Sequence, residues 1–185
     1  MLVKTVTKSK NTKYMRITAS KLYNFIQCQH RVWRDQYGPK EERIEETNPF
    51  VQMLWDKGVF YEKEVIGKLG KYLDMSGIGF EDAAVLTVEA MQRKEPLIYQ
   101  GVLIHENMMG IPDLLELRPD GSYIPIDIKS GMGMEGIDEE ADDEGKPKKH
   151  YAVQLALYVE ALNGLGFESK KEGIILDIRG NKVLY

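Results

Sequence analysis

Hydrophobic positions along the chain follow two periods. Over residues 123–129 they alternate. Ile124, Ile126 and Ile128 share one face, and Tyr123, Pro125, Asp127 and Lys129 share the other. That spacing predicts a strand. Pro119-Asp120-Gly121 just before it is turn chemistry, so residues 110–131 read as two strands joined by a tight turn. Residues 97–104 are apolar with Gly101 inside and predict a third strand, completing an antiparallel meander through a turn at 106–109. Residues 173–177 and 183–185 predict a last hairpin across Arg179-Gly180-Asn181.

The other segments have helical spacing. Ser20 is a good cap for a helix over 20–37, with Leu22, Phe25, Ile26, Val32 and Trp33 as its buried stripe and Gly38-Pro39 as its stop. Asn48-Pro49 opens a helix to about Leu69, whose stripe is Val51, Leu54, Trp55, Val59, Val65, Ile66 and Leu69. Residues 82–93 predict a short helix with Val85, Val88 and Met91 on one side. Residues 150–162 predict a helix that is apolar nearly all round, ending at Asn163-Gly164. These elements imply an α/β fold, a central mixed sheet flanked by helices, in one domain over 17–185. A polar, Lys-rich arm over 1–16, expected to be partly disordered, precedes it, with a short strand possible over 1–7. The sequence stops in mid-hairpin, which reads as one end of a longer protein or a trimmed chain.

Composition adds limits. No apolar run approaches membrane-spanning length, and the first residues lack the apolar centre of a signal peptide. A single cysteine, Cys28, excludes an internal disulfide and makes a reducing, intracellular (cytoplasmic) location the default. The net charge is −4, but it is unevenly spread. Residues 1–34 hold Lys4, Lys8, Lys10, Lys13, Arg16, Lys21, Arg31 and Arg34 and no acid. Residues 135–144 hold Glu135, Asp138, Glu139, Glu140, Asp142, Asp143 and Glu144 in a Gly-rich stretch expected to be a surface loop. Without those acids the chain is mildly basic, which permits a nucleic-acid partner.

The candidate chemistry lies on the polar face of 123–129. Asp127 and Lys129 point the same way, and Asp113 sits on the preceding arm; two carboxylates and an ammonium suit a hard divalent cation. The same alternation is ordinary in a half-buried strand, so other residues must decide. Glu62 is seven residues from both Trp55 and Leu69 and falls within roughly 20° of each at about 100° per residue. It therefore points towards the core, where it needs either a basic partner or a metal. Gln154 and Tyr158 lie one above the other on the last helix, a polar pair that needs partners. No phosphate-binding glycine loop, nucleophilic triad or zinc signature competes, and His30, His105 and His150 are scattered.

Taken in order, Gly58-Val-Phe-Tyr-Glu62, Ile111-Pro112-Asp113, Asp127-Ile128-Lys129 and Gln154-Leu-Ala-Leu-Tyr158 resemble the motifs of the PD-(D/E)xK nuclease superfamily. They look most like its RecB-like branch, which includes the CRISPR-associated RecB-type exonucleases and related bacterial proteins. The segment around Cys28 is similar to that branch's N-terminal cysteine helix, and the resemblance spans 17–185. It implies a restriction-endonuclease-like core and metal-dependent hydrolysis of DNA, as an exonuclease on ends or single strands. Two other readings stay open: an inactive nucleic-acid-binding module of a larger repair or helicase protein, and an RNA endonuclease. The resemblance implies Mg²⁺ or Mn²⁺ held by Glu62, Asp113, Asp127 and the main-chain oxygen of Ile128. Lys129 would serve the water or the phosphate, Gln154 and Tyr158 would position the strand or the lysine, and Lys21, Arg31 and Arg34 would hold the DNA backbone. Relatives with an iron–sulfur cluster use four cysteines; with Cys28 alone, no cluster is expected on this chain. A helicase, CRISPR or repair protein is the kind of partner the resemblance suggests, and no membrane is expected.

Overall fold

The computed structural model of the chain describes residues 15–44, 48–136, 145–167 and 170–185. A two-residue strand, β1 (Ile17–Thr18), leads into α1 (Ala19–Gln27). Thr18, not Ser20, caps α1, its side chain accepting from Lys21 N at 3.3 Å. The helix expected over 20–37 is also broken. Cys28 is extended (φ −160°, ψ 105°), donates to Asn24 O, and separates α1 from α2 (Gln29–Tyr37). Gly38 ends α2 as expected, with its N–H on Arg34 O. A 3₁₀ turn, Lys40–Glu42, follows. Asn48 then caps α3 (Pro49–Lys68) by accepting from Phe50 N, with Pro49 in the first turn, as predicted.

Strand β2 (Leu73–Asp74) precedes α4 (Phe80–Gln92). The buried face of α4 is Ala83, Thr87, Ala90 and Met91, and Val85 is exposed. Small side chains let α4 lie close to the sheet, where Thr87 Oγ1 accepts from Val102 N at 3.0 Å. The strand predicted over 97–104 divides into β3 (Leu97–Tyr99) and β4 (Leu103–His105). Gln100 takes φ +50° between them and swings the chain out of the main sheet. Then come β5 (Met108–Gly110), β6 (Leu114–Leu117), β7 (Tyr123–Ile128), β8 (Met134–Glu135), β9 (Lys146–Pro147), α5 (Lys149–Leu165), β10 (Ile174–Leu176) and β11 (Lys182–Leu184).

The main sheet has the order β11-β10-β7-β6-β3-β2. β3, β6 and β7 are antiparallel neighbours, as the predicted meander requires, with the β4–β5 hairpin inserted between β3 and β6. β10 runs parallel to β7 and β2 parallel to β3, so the sheet is mixed. β1, β5 and β4 form a second sheet, and β8 pairs with β9. α5 runs past Asn163-Gly164 to stop at Gly166 (φ +86°). Gly164 lies inside the helix and lets His105 pack against it, since a side chain there would run into the His105 ring.

The core has two parts, one on each face of the main sheet. Ile126, Ile128 and Leu114 pack with Ile66 of α3. Tyr123, Leu115, Ile98 and Ile175 pack with α4 and with Leu155, Tyr158 and Leu162 of α5. Every residue of β7 is buried, so the face carrying Asp127 is not the solvent side of a half-buried strand. The predicted stripes of the first two helices are corrected in the other direction. α1 and α2 bury no side chain fully, and Phe25 and Trp33 are exposed. α3 packs through its C-terminal half, while Leu54, Trp55 and Val59 face outward. Among the described residues no helix is long and apolar enough to cross a membrane. The strand predicted over 1–7, Lys4, Lys8, Lys10, Lys13 and the acids at 138–144 lie outside the described residues.

Candidate active site

β6, β7 and α5 bring the predicted groups together. Asp113 precedes β6, and its Oδ2 accepts from Ile128 N, at the end of β7, at 2.6 Å. Asp127, two residues before Lys129, is only 2% exposed. Its Oδ1 accepts from Gln154 Nε2 at 2.6 Å. Gln154 Nε2 also donates to Tyr158 Oη at 2.8 Å, and Tyr158 Oη donates to Ile111 O at 3.2 Å. The Gln-x-x-x-Tyr spacing thus builds a bracket. One helical turn of α5 ties the Asp127 carboxylate to the main chain just before Asp113. Tyr158 is itself 2% exposed, so its ring offers no surface to a nucleic-acid strand. Gly110 makes this close approach possible, because a Cβ there would lie 2.5 Å from Tyr158 Cδ1.

The second oxygen of Asp127, Oδ2, is fully buried and, among the described residues, has no hydrogen bond of regular geometry; it meets the Lys129 ammonium in a short ion pair. Lys129 Nζ also lies 5.5 Å from the centre of the Tyr151 ring, and Lys148 Nζ lies 5.2 Å from it. Rings accept such ammonium contacts through their negative faces.

Glu62 is half-buried and, among the described residues, meets two neutral donors rather than a basic side chain. Its Oε1 accepts from Tyr99 Oη at 2.9 Å and from Gln100 Nε2 at 3.0 Å. Gln100 does more than hold Glu62, since its N–H donates to Asp113 O at 2.9 Å. It therefore links α3 to the Asp113 strand end. Tyr99, Gln100 and Tyr151 escaped the sequence reading.

Burial here penalises the charged forms of the acids. Burial pushes the Asp113 carboxyl well above its usual range, and the nearby Asp127 and Glu62 charges add to the effect. Burial raises Asp127 too, against the opposing pull of Lys129 and Gln154. For Lys129, burial is the largest single effect and acts downward, but the charge and direct contact of Asp127 together with the charge of Asp113 outweigh it, so the ammonium is held above its ordinary value. Burial also raises the Tyr158 and Tyr99 phenols, so both remain donors.

Among the described residues, no three or more of His, Cys, Asp and Glu gather into a ready cation site. The donors present are nonetheless hard oxygens of the right kind for Mg²⁺ or Mn²⁺. The buried, under-satisfied Oδ2 of Asp127 calls for positive charge, which Lys129 supplies in this structure.

The predicted backbone-binding residues have other partners than the carboxylates of this cluster. Lys21 Nζ donates to Arg16 O at 2.7 Å. Arg31 pairs with Asp35 at 3.7 Å, and Arg34 pairs with Glu42, both on the surface. No family model matches the chain, and no curated protein matches it.

Proposed function

We propose that this chain is a divalent-metal-dependent nuclease that hydrolyses DNA phosphodiester bonds on a restriction-endonuclease-like core of the RecB-like kind. One observation carries the reading. Asp113, Asp127 and Lys129 lie on neighbouring strands beside the Gln154–Tyr158 bracket, and one Asp127 oxygen is left buried with an ammonium against it. A structural ion pair has no need of a second buried carboxylate beside it. A cation site does.

In this reading Asp113 and Asp127 hold Mg²⁺ or Mn²⁺, with the Ile128 main-chain oxygen and Glu62 as further donors. When bound, the cation supplies positive charge to the phosphate and acidifies water. The chain's own groups do the rest. Gln154, fixed by Tyr158, holds Oδ1 of Asp127 so that Oδ2 is the oxygen left to bind. Tyr99 and Gln100 orient Glu62. Lys129, freed from Asp127, places its ammonium on a phosphate oxygen as negative charge builds in the transition state. Tyr151 keeps the freed lysine at the site through its ring face.

A second reading, an inactive nucleic-acid-binding module, is favoured by the closed Asp127–Lys129 pair and by the lack of a preformed three-acid group. The test is cleavage of end-labelled single-stranded DNA, duplex DNA and RNA with Mn²⁺, with Mg²⁺ and with EDTA, comparing the native chain with Asp127→Asn. Metal-dependent DNA cleavage that is lost in the variant is the expected result. Cleavage of RNA alone would move the assignment to a ribonuclease. No cleavage of any substrate would favour the module, and equal cleavage by both proteins would sink the assigned site.

A further inference from the structure

The exposed side of α2 carries three rings in a row. His30 and Trp33 are stacked, with ring centres 6.1 Å apart and planes 25° from parallel. Trp33 and Tyr37 follow at 6.2 Å. These are not core residues caught at an edge, since Trp33 is 55% exposed and Tyr37 67%. Residues 15–37 contain Arg16, Lys21, Arg31 and Arg34 against a single acid, Asp35, in a chain whose net charge is negative. The ion pairs of Arg31 with Asp35 and of Arg34 with Glu42 are solvent-exposed. Such pairs are weak and exchange readily for another anion.

The rings are not isolated from the candidate site. Lys129 lies over Tyr151, Tyr151 meets His150 at 4.4 Å, and His150 meets Tyr23 of α1 edge-on at 5.5 Å. A run of aromatic contacts thus leads from the carboxylates to the helix that precedes α2.

We propose that the α1–α2 face binds single-stranded nucleic acid, with bases stacking on Trp33 and Tyr37 and phosphates meeting Arg31 and Arg34. The inference deepens the nuclease reading by naming the strandedness of its substrate, and rests on that reading for its link to cleavage. Ring centres about 6 Å apart exceed the roughly 3.4 Å step of stacked bases. They suit an extended strand whose bases are splayed, which a duplex with its bases paired inward does not present. Two arginines whose exposed ion pairs exchange readily for another anion argue for a polyanionic occupant over a second copy of the chain.

The test measures binding with EDTA present, so that cleavage does not interfere. The probe is a labelled oligo(dT) of about 15 nucleotides, near the upper end of common single-strand site sizes. Trp33→Ala and Tyr37→Ala are each expected to weaken binding roughly 5- to 150-fold, the range for losing one stacked base. Arg31→Gln with Arg34→Gln should lower the salt slope by about 1.4, the value for two phosphate contacts on a single strand. In a Trp55→Phe background the remaining Trp33 emission should be quenched by the oligonucleotide. The inference is overturned if the Trp33/Tyr37 double variant binds as tightly as the native chain. It is overturned also if duplex DNA binds equally well with the same dependence on Trp33, or if Trp33→Ala converts a dimer to a monomer and leaves oligonucleotide affinity unchanged. Binding that needs Trp33 and Tyr37, in a chain that cleaves nothing with Mn²⁺, would uphold the platform while the nuclease reading fails. Metal-dependent cleavage with unchanged single-strand binding by the double variant would do the reverse.

Discussion

The centre of the sheet and the N-terminal half of α3 began with the same credentials. Both carry dense apolar residues at regular spacing. β7 ends up buried on both faces, between Ile66 of α3 on one side and Leu155, Tyr158 and Leu162 of α5 on the other. The first turns of α3 leave Phe50, Met53, Leu54, Trp55, Val59 and Phe60 exposed, Phe60 to 63%. Periodicity says which residues belong on one side of an element. It does not say whether a neighbouring element covers that side. Cover comes from topology, and here it reaches α3 only where Tyr61, Val65 and Ile66 meet the sheet, with Tyr61 donating to the main chain of Asp177.

The contrast is broken most forcefully by truncation. Ile126→Ala and Leu162→Ala remove fully buried side chains and are expected to cost about 2–5 kcal/mol each in urea unfolding. Leu54→Ala and Phe60→Ala remove exposed ones and should fall within about 0.5 kcal/mol of the native chain. A large loss from Phe60→Ala would mean that the α3 face is covered in solution.

Legibility followed the same division. The hairpin around Gly121, the cap at Asn48, the Asp127–Lys129 face and the Gln154–Tyr158 stack were all readable, because each rests on a local rule of turn chemistry, capping or spacing. The break at Cys28 was not readable, since neither Gly nor Pro marks it. Gln100 was missed for a related reason. A glutamine at φ +50° has no sequence signature, and its value to the site, holding both Glu62 and the Asp113 main chain, depends on strands that meet only in three dimensions. Asp177 was read as the end of a strand. It is a buried carboxylate that accepts from Arg179 N and Asn181 N, each at 2.9 Å, and organises the last turn.

A smaller effect sharpens the contrast at the carboxylates. Asp113 and Asp127 have folded-state pKa values raised by burial, Asp113 the more strongly. A group raised in this way stabilises the fold below its unfolded pKa, about 4 for Asp, and loses that contribution as pH climbs through the folded value. The Tm of the metal-free chain should therefore decline as pH rises from about 4 towards neutrality. Lys129, held above its ordinary value, adds no slope in that window. His150, lowered by burial and by Lys148 and Lys129, opposes the decline within this window, and Asp120, lowered by Ser122 and Lys170, opposes it only at more acid pH. Asp113→Asn is expected to flatten the decline, and Mn²⁺ should raise the Tm most where both carboxylates are ionised. An unchanged slope in Asp113→Asn would show that the buried pair does not ionise in this range.

The smallest expected change tests the bracket itself. Tyr158→Phe keeps the ring against Gly110 and within the core, and removes only the hydroxyl that accepts from Gln154 and donates to Ile111 O. Stability should fall by roughly 2 kcal/mol, the usual net value of two hydrogen bonds at about 1 kcal/mol each, because the ring's packing is untouched. The Gln154 amide then loses one of its two partners and holds Asp127 Oδ1 less firmly. If the bracket's purpose is to aim the other Asp127 oxygen, the half-saturating Mn²⁺ concentration should rise about 10- to 100-fold, the range for losing a partner behind a metal ligand. If the bracket is only core packing, stability shifts and the metal titration does not. A titration of Tm against Mn²⁺ in the two proteins separates these outcomes without any measurement of cleavage.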